Sequence, residues 1–234
     1  MLIGIPKEIK NHEYRVGLAP ASVREVIAHG HDVQVQENAG EGIGATDDDY
    51  RSVGAAVIDD PSRIFGEADM IVKVKEPLEP ERKLLREEQV LFTYLHLAPD
   101  PEQTSDLVDS GAVCIAYETV TSPSGGLPLL APMSKVAGRM AIQAGAHCLE
   151  NPHGGRGMLL GGVPGVDPAK VVILGAGVVG THATHIAVGM GAGDWVIAIG
   201  NALALPGGPT VTVGVVSALG RSIESTPGVT LYDL

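Results

Sequence analysis

Residues 171–190 read VVILGAGVVGTHATHIAVGM. Four aliphatic residues run into Gly-x-Gly-x-x-Gly, at Gly175, Gly177 and Gly180, and an apolar helical pattern follows. Three glycines at this spacing are weak evidence by themselves. Between a strand and a helix they form a dinucleotide-binding fingerprint. Gly175 permits a tight turn, Gly177 lets a pyrophosphate approach the backbone, and Gly180 lets helix and strand pack closely. The helix start, around Val179, then offers free N–H groups and a partial positive charge to phosphates. A plain strand–turn–helix that uses small residues only for packing is the competing reading.

The fingerprint has a second half. An acid about 20 residues further on, at the end of the next strand, grips the ribose hydroxyls. Here that strand spans 195–199 and its end carries Ala198, Gly200 and Asn201, while Asp194 precedes it. No acid stands where the clamp belongs, so the pattern leaves NAD against NADP open.

Upstream, short apolar runs alternate with helical patterns. Strands are expected at 2–5, 32–36, 55–58, 70–74, 90–94 and 112–116, with helices at 21–29 and 101–110, the latter capped by Asp100. The order strand, helix, strand in repetition predicts a mostly parallel sheet with helices on its faces. A texture change at 128–132 precedes a long helix opened by Ser134 and running to about Leu149. A glycine-rich loop, GGRGMLLGGVPG at 154–165, leads into the fingerprint strand. The expected organisation is α/β: a front α/β domain over 1–130, a connecting helix over 131–150, and the start of a Rossmann, NAD-binding domain over 151–192. That second domain is incomplete, and 193–234 form an anomalous tail.

The bulk numbers agree with a soluble layered protein. The chain has 234 residues, 44% hydrophobic and 19% charged, with aromatics at only 3%, so small apolar side chains carry the packing. A net charge of -12 repels phosphate backbones, which excludes nucleic acid as a natural partner. No apolar run approaches the roughly 18 residues of a membrane span. Residues 1–10 carry charge at once and lack a signal-peptide core. Two cysteines, Cys114 and Cys148, lack metal-like spacing and point to a reduced, cytoplasmic protein.

Three basic residues stand out in the front domain. Arg15 lies in a polar loop, Lys75 ends an apolar strand, and His96 follows another. Lys75 and His96 thus stand at strand carboxyl ends, where open α/β sheets hold ligands. An Arg holds a carboxylate through two parallel hydrogen bonds, a Lys adds a point charge, and a His moves protons near neutral pH. Each also has a structural alternative as an ordinary surface or strand-end residue.

The run GIPKEIKNHEYRVGLAP at 4–20 resembles the opening of the family that joins alanine dehydrogenases with the nicotinamide nucleotide transhydrogenase α subunit. VKEPL at 74–78, FTYLHLAP at 92–99, LPLLAPMSKVAGRM at 127–140 and the loop at 154–165 resemble its alanine dehydrogenase branch in particular. The resemblance covers about residues 1–192. It implies reversible, NAD-dependent deamination of L-alanine to pyruvate and ammonium. It implies substrate contacts at Arg15 and Lys75, an acid/base at His96, and cofactor contacts at Ser134, Gly175, Gly177, Val179 and Gly180. It also implies a homo-oligomer, usually a hexamer. Two alternatives stay open: a non-catalytic binding remnant, and a transhydrogenase α-type NAD-binding subunit.

The resemblance stops near Ala192. The family's ribose acid aligns with Ala198, and its catalytic Asp and terminal return segment have no match here. Residues 193–234 instead resemble a fragment of HtrA-type serine proteases, without that family's nucleophile motif. The expectation is a truncated or chimeric chain with impaired or absent activity.

Overall fold

The computed structural model describes residues 1–192 in full and, beyond them, the strand backbone at 195–198, 212–215, 223–226 and 229–231. The chain divides into two units, Met1–Leu129 and Leu130–Leu234.

The first unit is built on β1 (Leu2–Ile5), β2 (Asp32–Gln36), β3 (Ala56–Ile58), β4 (Met70–Val72), β5 (Val90–Thr93) and β6 (Val113–Ala116). All neighbours pair in parallel, in the order β3-β2-β1-β4-β5-β6. Parallel neighbours need crossovers. These are supplied by α1 (Pro20–Ala28), α2 (Asp47–Ser52), α3 (Pro61–Glu67), α4 (Glu79–Arg82) and α5 (Pro101–Asp109). The mostly parallel α/β architecture expected from the sequence is therefore present. Asp100 caps α5 as expected, its carboxylate accepting from Gln103 N at 2.9 Å.

The central strands of the sheet are buried on both faces, and side-chain alternation assigns them. Ile3, Ile5, Val33, Val35 and Val72 pack with Val23 of α1 and Tyr50 of α2. Ile71 and Leu91 face the other way and pack with Ile64 and Phe65 of α3 and Leu107 of α5. Strands read as near-continuous hydrophobic runs for this reason. Tyr50 is fully buried and donates to Leu18 O at 3.0 Å, and burial pushes its phenol up to about 12.

Several boundaries differ from expectation, those of β4 and α6 by more than the others. β4 and β5 end short of the apolar runs that contain them, although Lys73 N still donates to Phe92 O and Tyr94 N to Val74 O. The long helix, α6 (Ala131–Cys148), begins three residues before Ser134, because Pro132 sits in its first turn. Proline there has its φ already set for a helix and lacks only an N–H with no partner to lose.

In the second unit α6 packs against α7 (Val178–Gly189), which follows β7 (Val171–Leu174). Ile142, Val171, Ile173, Ala183 and Ala187 form its core. β7 pairs in parallel with β8 (Trp195–Ala198) and antiparallel with β9 (Thr212–Val215). β10 (Ile223–Thr226) and β11 (Val229–Leu231) form an antiparallel pair. The reading of 193–234 as a protease-like tail otherwise falls outside the described residues. Among the described residues no helix is long and apolar enough to cross a membrane.

The face assignment has a direct check. Ile71 is fully buried, whereas Val113 on edge strand β6 is 50% exposed. Ile71→Ala should cost about 2–5 kcal/mol in denaturant unfolding. Val113→Ala should stay within about 1 kcal/mol. Equal costs would contradict the assignment.

Candidate functional site

The strand order reverses direction between β1 and β4. In open parallel sheets the crevice for ligands opens beyond the carboxyl ends of the strands at such a switch point. Three loops leave that edge: residues 6–19 after β1, 73–78 after β4 and 94–100 after β5. Arg15, Lys75 and His96 lie one on each.

The frame beneath them is a buried charge cluster. Lys73 is 1% exposed, and its Nζ donates to Glu81 Oε1 at 2.7 Å and to Glu8 Oε2 at 3.2 Å. Glu8 Oε1 accepts from Val74 N at 2.6 Å. Tyr117 Oη donates to Lys73 O at 2.8 Å. The loop after β1 is thereby tied to the end of β4 and to α4. Gly17 lets the same loop press on the sheet edge, since a Cβ there would lie 2.4 Å from Val72 O.

Arg15 sits on this frame in a fork with Glu13. Its Nε donates to Glu13 Oε1 at 2.7 Å and its Nη2 to Glu13 Oε2 at 2.5 Å. The hydrogen bonds from Arg15 hold the Glu13 carboxyl below the usual carboxylate range, against the opposing effect of burial, and Lys75 adds a favourable field. The charge of Tyr94 in its ionised form would act on Arg15, and burial pushes that phenol up. Lys75 is half-buried, and its carbonyl accepts from Thr93 Oγ1 at 2.9 Å. A cavity of about 410 Å³ opens beside Glu13 and Arg15 and reaches Lys7, Glu41 and Gly42.

His96 is exposed and adopts φ 49°. A non-glycine residue in this region carries strain that the surroundings must hold. Glu118 does so, accepting from His96 N at 2.8 Å and from Leu95 N at 3.1 Å. The His96 ring meets the Tyr94 ring edge-on at 5.8 Å. Burial, the largest single effect, opposes the ionised form of Glu76, but the hydrogen bond from Lys10, a backbone hydrogen bond and smaller attractions from Lys10 and His96 together hold the carboxyl below its usual range. Shared neighbours thus link Arg15 to Lys75 through Glu13, and Arg15 to His96 through Tyr94.

In the second unit, the glycine turn has the geometry that its spacing predicts. Gly175 adopts φ 104°, and a Cβ on Gly180 would lie 1.9 Å from Gly175 O. A Cβ on Gly177 would meet nothing within 4 Å, which leaves room for a ligand to approach the backbone. Gly177 is the N-cap of α7 without a side-chain capping bond, and Val178 and Val179 form its first turn. Anionic phosphate oxygens fit this end. The ribose clamp does not fit: Ala198 pairs with Leu174 at the end of β8. Ser134 Oγ donates to Leu130 O at 3.4 Å within the first turn of α6.

Several site residues gave no sequence signal: Glu8, Glu13, Lys73, Glu81 and Glu118. The one available hint was a lysine, Lys73, inside an apolar run; its partners Glu8 and Glu81 lie 65 and 8 residues away and no spacing marks them.

The fold and the turn define a doubly wound α/β protein with a nucleotide-type fingerprint. Comparison with known proteins narrows this. Residues 4–137 match the Alanine dehydrogenase/PNT N-terminal domain and residues 141–201 the Alanine dehydrogenase/PNT C-terminal domain. The chain belongs to the alanine dehydrogenase/PNT family. It is 58% identical over 192 residues to the alanine dehydrogenase of Halomonas elongata, covering 82% of this chain and 52% of that one. It is 55% identical over 192 residues to that of Bacillus subtilis, covering 82% and 50%. Among solved structures it resembles an L-alanine dehydrogenase (TM-score 0.77, 55% identity, 82% of this chain and 53% of that chain). It also resembles a transhydrogenase from Sinorhizobium meliloti (TM-score 0.70, 26% identity, 82% and 57%). The chain therefore spans about half the length of the curated relatives it matches.

The buried cluster carries a prediction. Lys73→Met removes the one cation between two carboxylates, and leaving buried charge uncompensated costs about 3–5 kcal/mol. Chemical denaturation should show that loss. Adding Glu8→Gln and Glu81→Gln to it should restore part of it. A loss below about 1 kcal/mol for Lys73→Met alone would show that Lys73 does not organise this edge.

Proposed function

We propose that the chain is the front portion of an NAD-dependent alanine dehydrogenase. The reaction is L-alanine, NAD and water to pyruvate, ammonium, NADH and a proton, reversibly. The observation that supports this best is that Arg15, Lys75 and His96 lie on the three loops that leave the carboxyl ends of β1, β4 and β5 at the switch point of the first sheet.

Each residue has a chemical task in that reading. The Arg15 fork takes the substrate carboxylate, which displaces Glu13 from the same donors. Lys75 holds the carbonyl oxygen of the keto acid. His96 accepts protons as the amine becomes an imine and as water attacks that imine. Fixing the substrate in this way contributes several kcal/mol to lowering the barrier. In the second unit the turn of Gly175, Gly177, Val179 and Gly180, with Ser134, holds the dinucleotide. NAD, when bound, supplies the hydride acceptor.

The alanine dehydrogenase branch is preferred to the transhydrogenase one because the relatives in it share 52–58% identity, against 26% for the transhydrogenase. We read residues 193–234 as an HtrA-like tail joined near Ala192. The 192-residue span of the alignments supports a junction there but not the identity of the tail, and the C-terminal domain match runs on to residue 201. We place the protein in the cytoplasm, on its two free cysteines, and expect a homo-oligomer of the family's kind.

The test separates binding from turnover. Pyruvate should raise the melting temperature of the 234-residue chain. Arg15→Ala and Lys75→Ala should each weaken that response by roughly 10- to 100-fold in affinity, as expected for hydrogen bonds to a charged group. His96→Ala should keep it. NADH oxidation with pyruvate and ammonium marks an enzyme, and binding without turnover marks a remnant. A chain that neither shifts with pyruvate nor oxidises NADH refutes the reading.

A further inference from the structure

Outside the two sites above, three metal-ligating side chains converge at the end of α6. His147 lies in the last turn of that helix, Glu150 follows its C-cap Leu149, and His153 closes the 3₁₀ turn Asn151–His153. The backbone explains the convergence. Glu150 N donates to His147 O at 3.2 Å and His153 N to Glu150 O at 3.1 Å, so two three-residue turns follow in succession. Residues three apart eclipse in such turns, which stacks positions 147, 150 and 153 on one edge. The segment is then held in place: Gly154 turns at φ 78°, Gly155 N returns to Glu150 O at 3.0 Å, and Gly157 N to Leu149 O at 2.8 Å.

The side chains meet accordingly. His147 Nδ1 is 3.7 Å from Glu150 Oε1 and His153 Nδ1 is 3.4 Å from Glu150 Oε2. The two imidazole rings are 3.7 Å apart by centroid. One ligand atom from each residue can be chosen so that all lie within 4.8 Å of one another. A tetrahedral ion with bonds of about 2.0–2.1 Å places its ligand atoms roughly 3.3–3.4 Å apart. The cluster is within a small side-chain adjustment of that spacing, and all three groups are exposed enough to make it.

We propose that His147, Glu150 and His153 form a binding site for a divalent first-row transition cation such as Zn²⁺, with water completing the coordination. Two imidazoles and one carboxylate suit that class of ion rather than Mg²⁺ or Ca²⁺, which take oxygen sets. A protonated His147 or His153 beside Glu150 is the competing account. An exposed ion pair of that kind contributes little and gives no reason for both rings to meet one carboxylate. A bound ion would pin the end of α6 to the start of the glycine-rich loop 154–165, which leads to β7.

The test uses the tag-free 234-residue chain, titrated with Zn²⁺ against a chromogenic chelator above pH ~7, where ligating imidazoles are neutral. One tight equivalent is expected, together with a rise in melting temperature. His147→Asn, Glu150→Gln and His153→Asn should each weaken it at least about tenfold, since even outer-shell changes cost 10- to 100-fold. The variants alter exposed side chains, and circular dichroism should report an unchanged fold. Cys148→Ser, at the neighbouring exposed thiol, and His182→Asn with His185→Asn on α7 should leave the tight equivalent intact. The proposal is overturned if no tight equivalent appears, or if it is lost with Cys148 or the α7 histidines and kept in the three cluster variants.

Discussion

One buried ammonium group organises the working edge of the first sheet. Lys73 has no solvent to stabilise its charge, and its Nζ is held by Glu8 from the loop after β1 and Glu81 from α4. Desolvating three charges is costly, and their mutual attraction returns that cost only when the geometry is good. The consequence is positional. Glu8 can accept from Val74 N only where the β1 loop lies against the end of β4. That contact carries Arg15 and Lys75 into one neighbourhood. Stability and ligand placement share the same bonds, so neither can drift without the other.

Electrostatics at this edge suit the exchange that the proposed function requires. Arg15 is already satisfied by a carboxylate, that of Glu13, in the two-pronged geometry that a substrate carboxylate would use. A free guanidinium would be costly in a half-buried place, and an irreversible partner would block it. In the proposed reading Glu13, on the same loop, is a local stand-in for the substrate carboxylate. His96 shows a related compromise. Its positive φ is unfavourable for a side chain, and two backbone bonds to Glu118 hold it there, which aims the residue after β5 at the same edge.

Much of this was legible before any coordinates. Six apolar runs separated by helical patterns gave a parallel α/β sheet, because a strand buried on both faces must be hydrophobic throughout. Gly175, Gly177 and Gly180 gave the turn, because only glycine fits φ 104° at the first and the close approach at the last. A helix opened at Ser134 starts three residues late, because Pro132 sets the first turn of α6, while the connecting helix expected over 131–150 starts where α6 does. The charge partners were not legible. Glu8 and Lys73 are 65 residues apart and Arg82 and Asp106 are 24 apart, and such pairs exist only once strand order is known. The cluster at His147 was hidden for a different reason: its spacing becomes one face only because α6 ends in tight turns.

The central claim is that the Arg15 fork is a carboxylate seat that Glu13 occupies in the absence of substrate. A crystal structure of the 234-residue chain soaked with pyruvate tests it most directly. The account predicts the pyruvate carboxylate on Arg15 Nε and Nη2, with Glu13 turned away and the keto oxygen on Lys75 Nζ. Pyruvate bound elsewhere, with the Glu13–Arg15 pair intact, would contradict it.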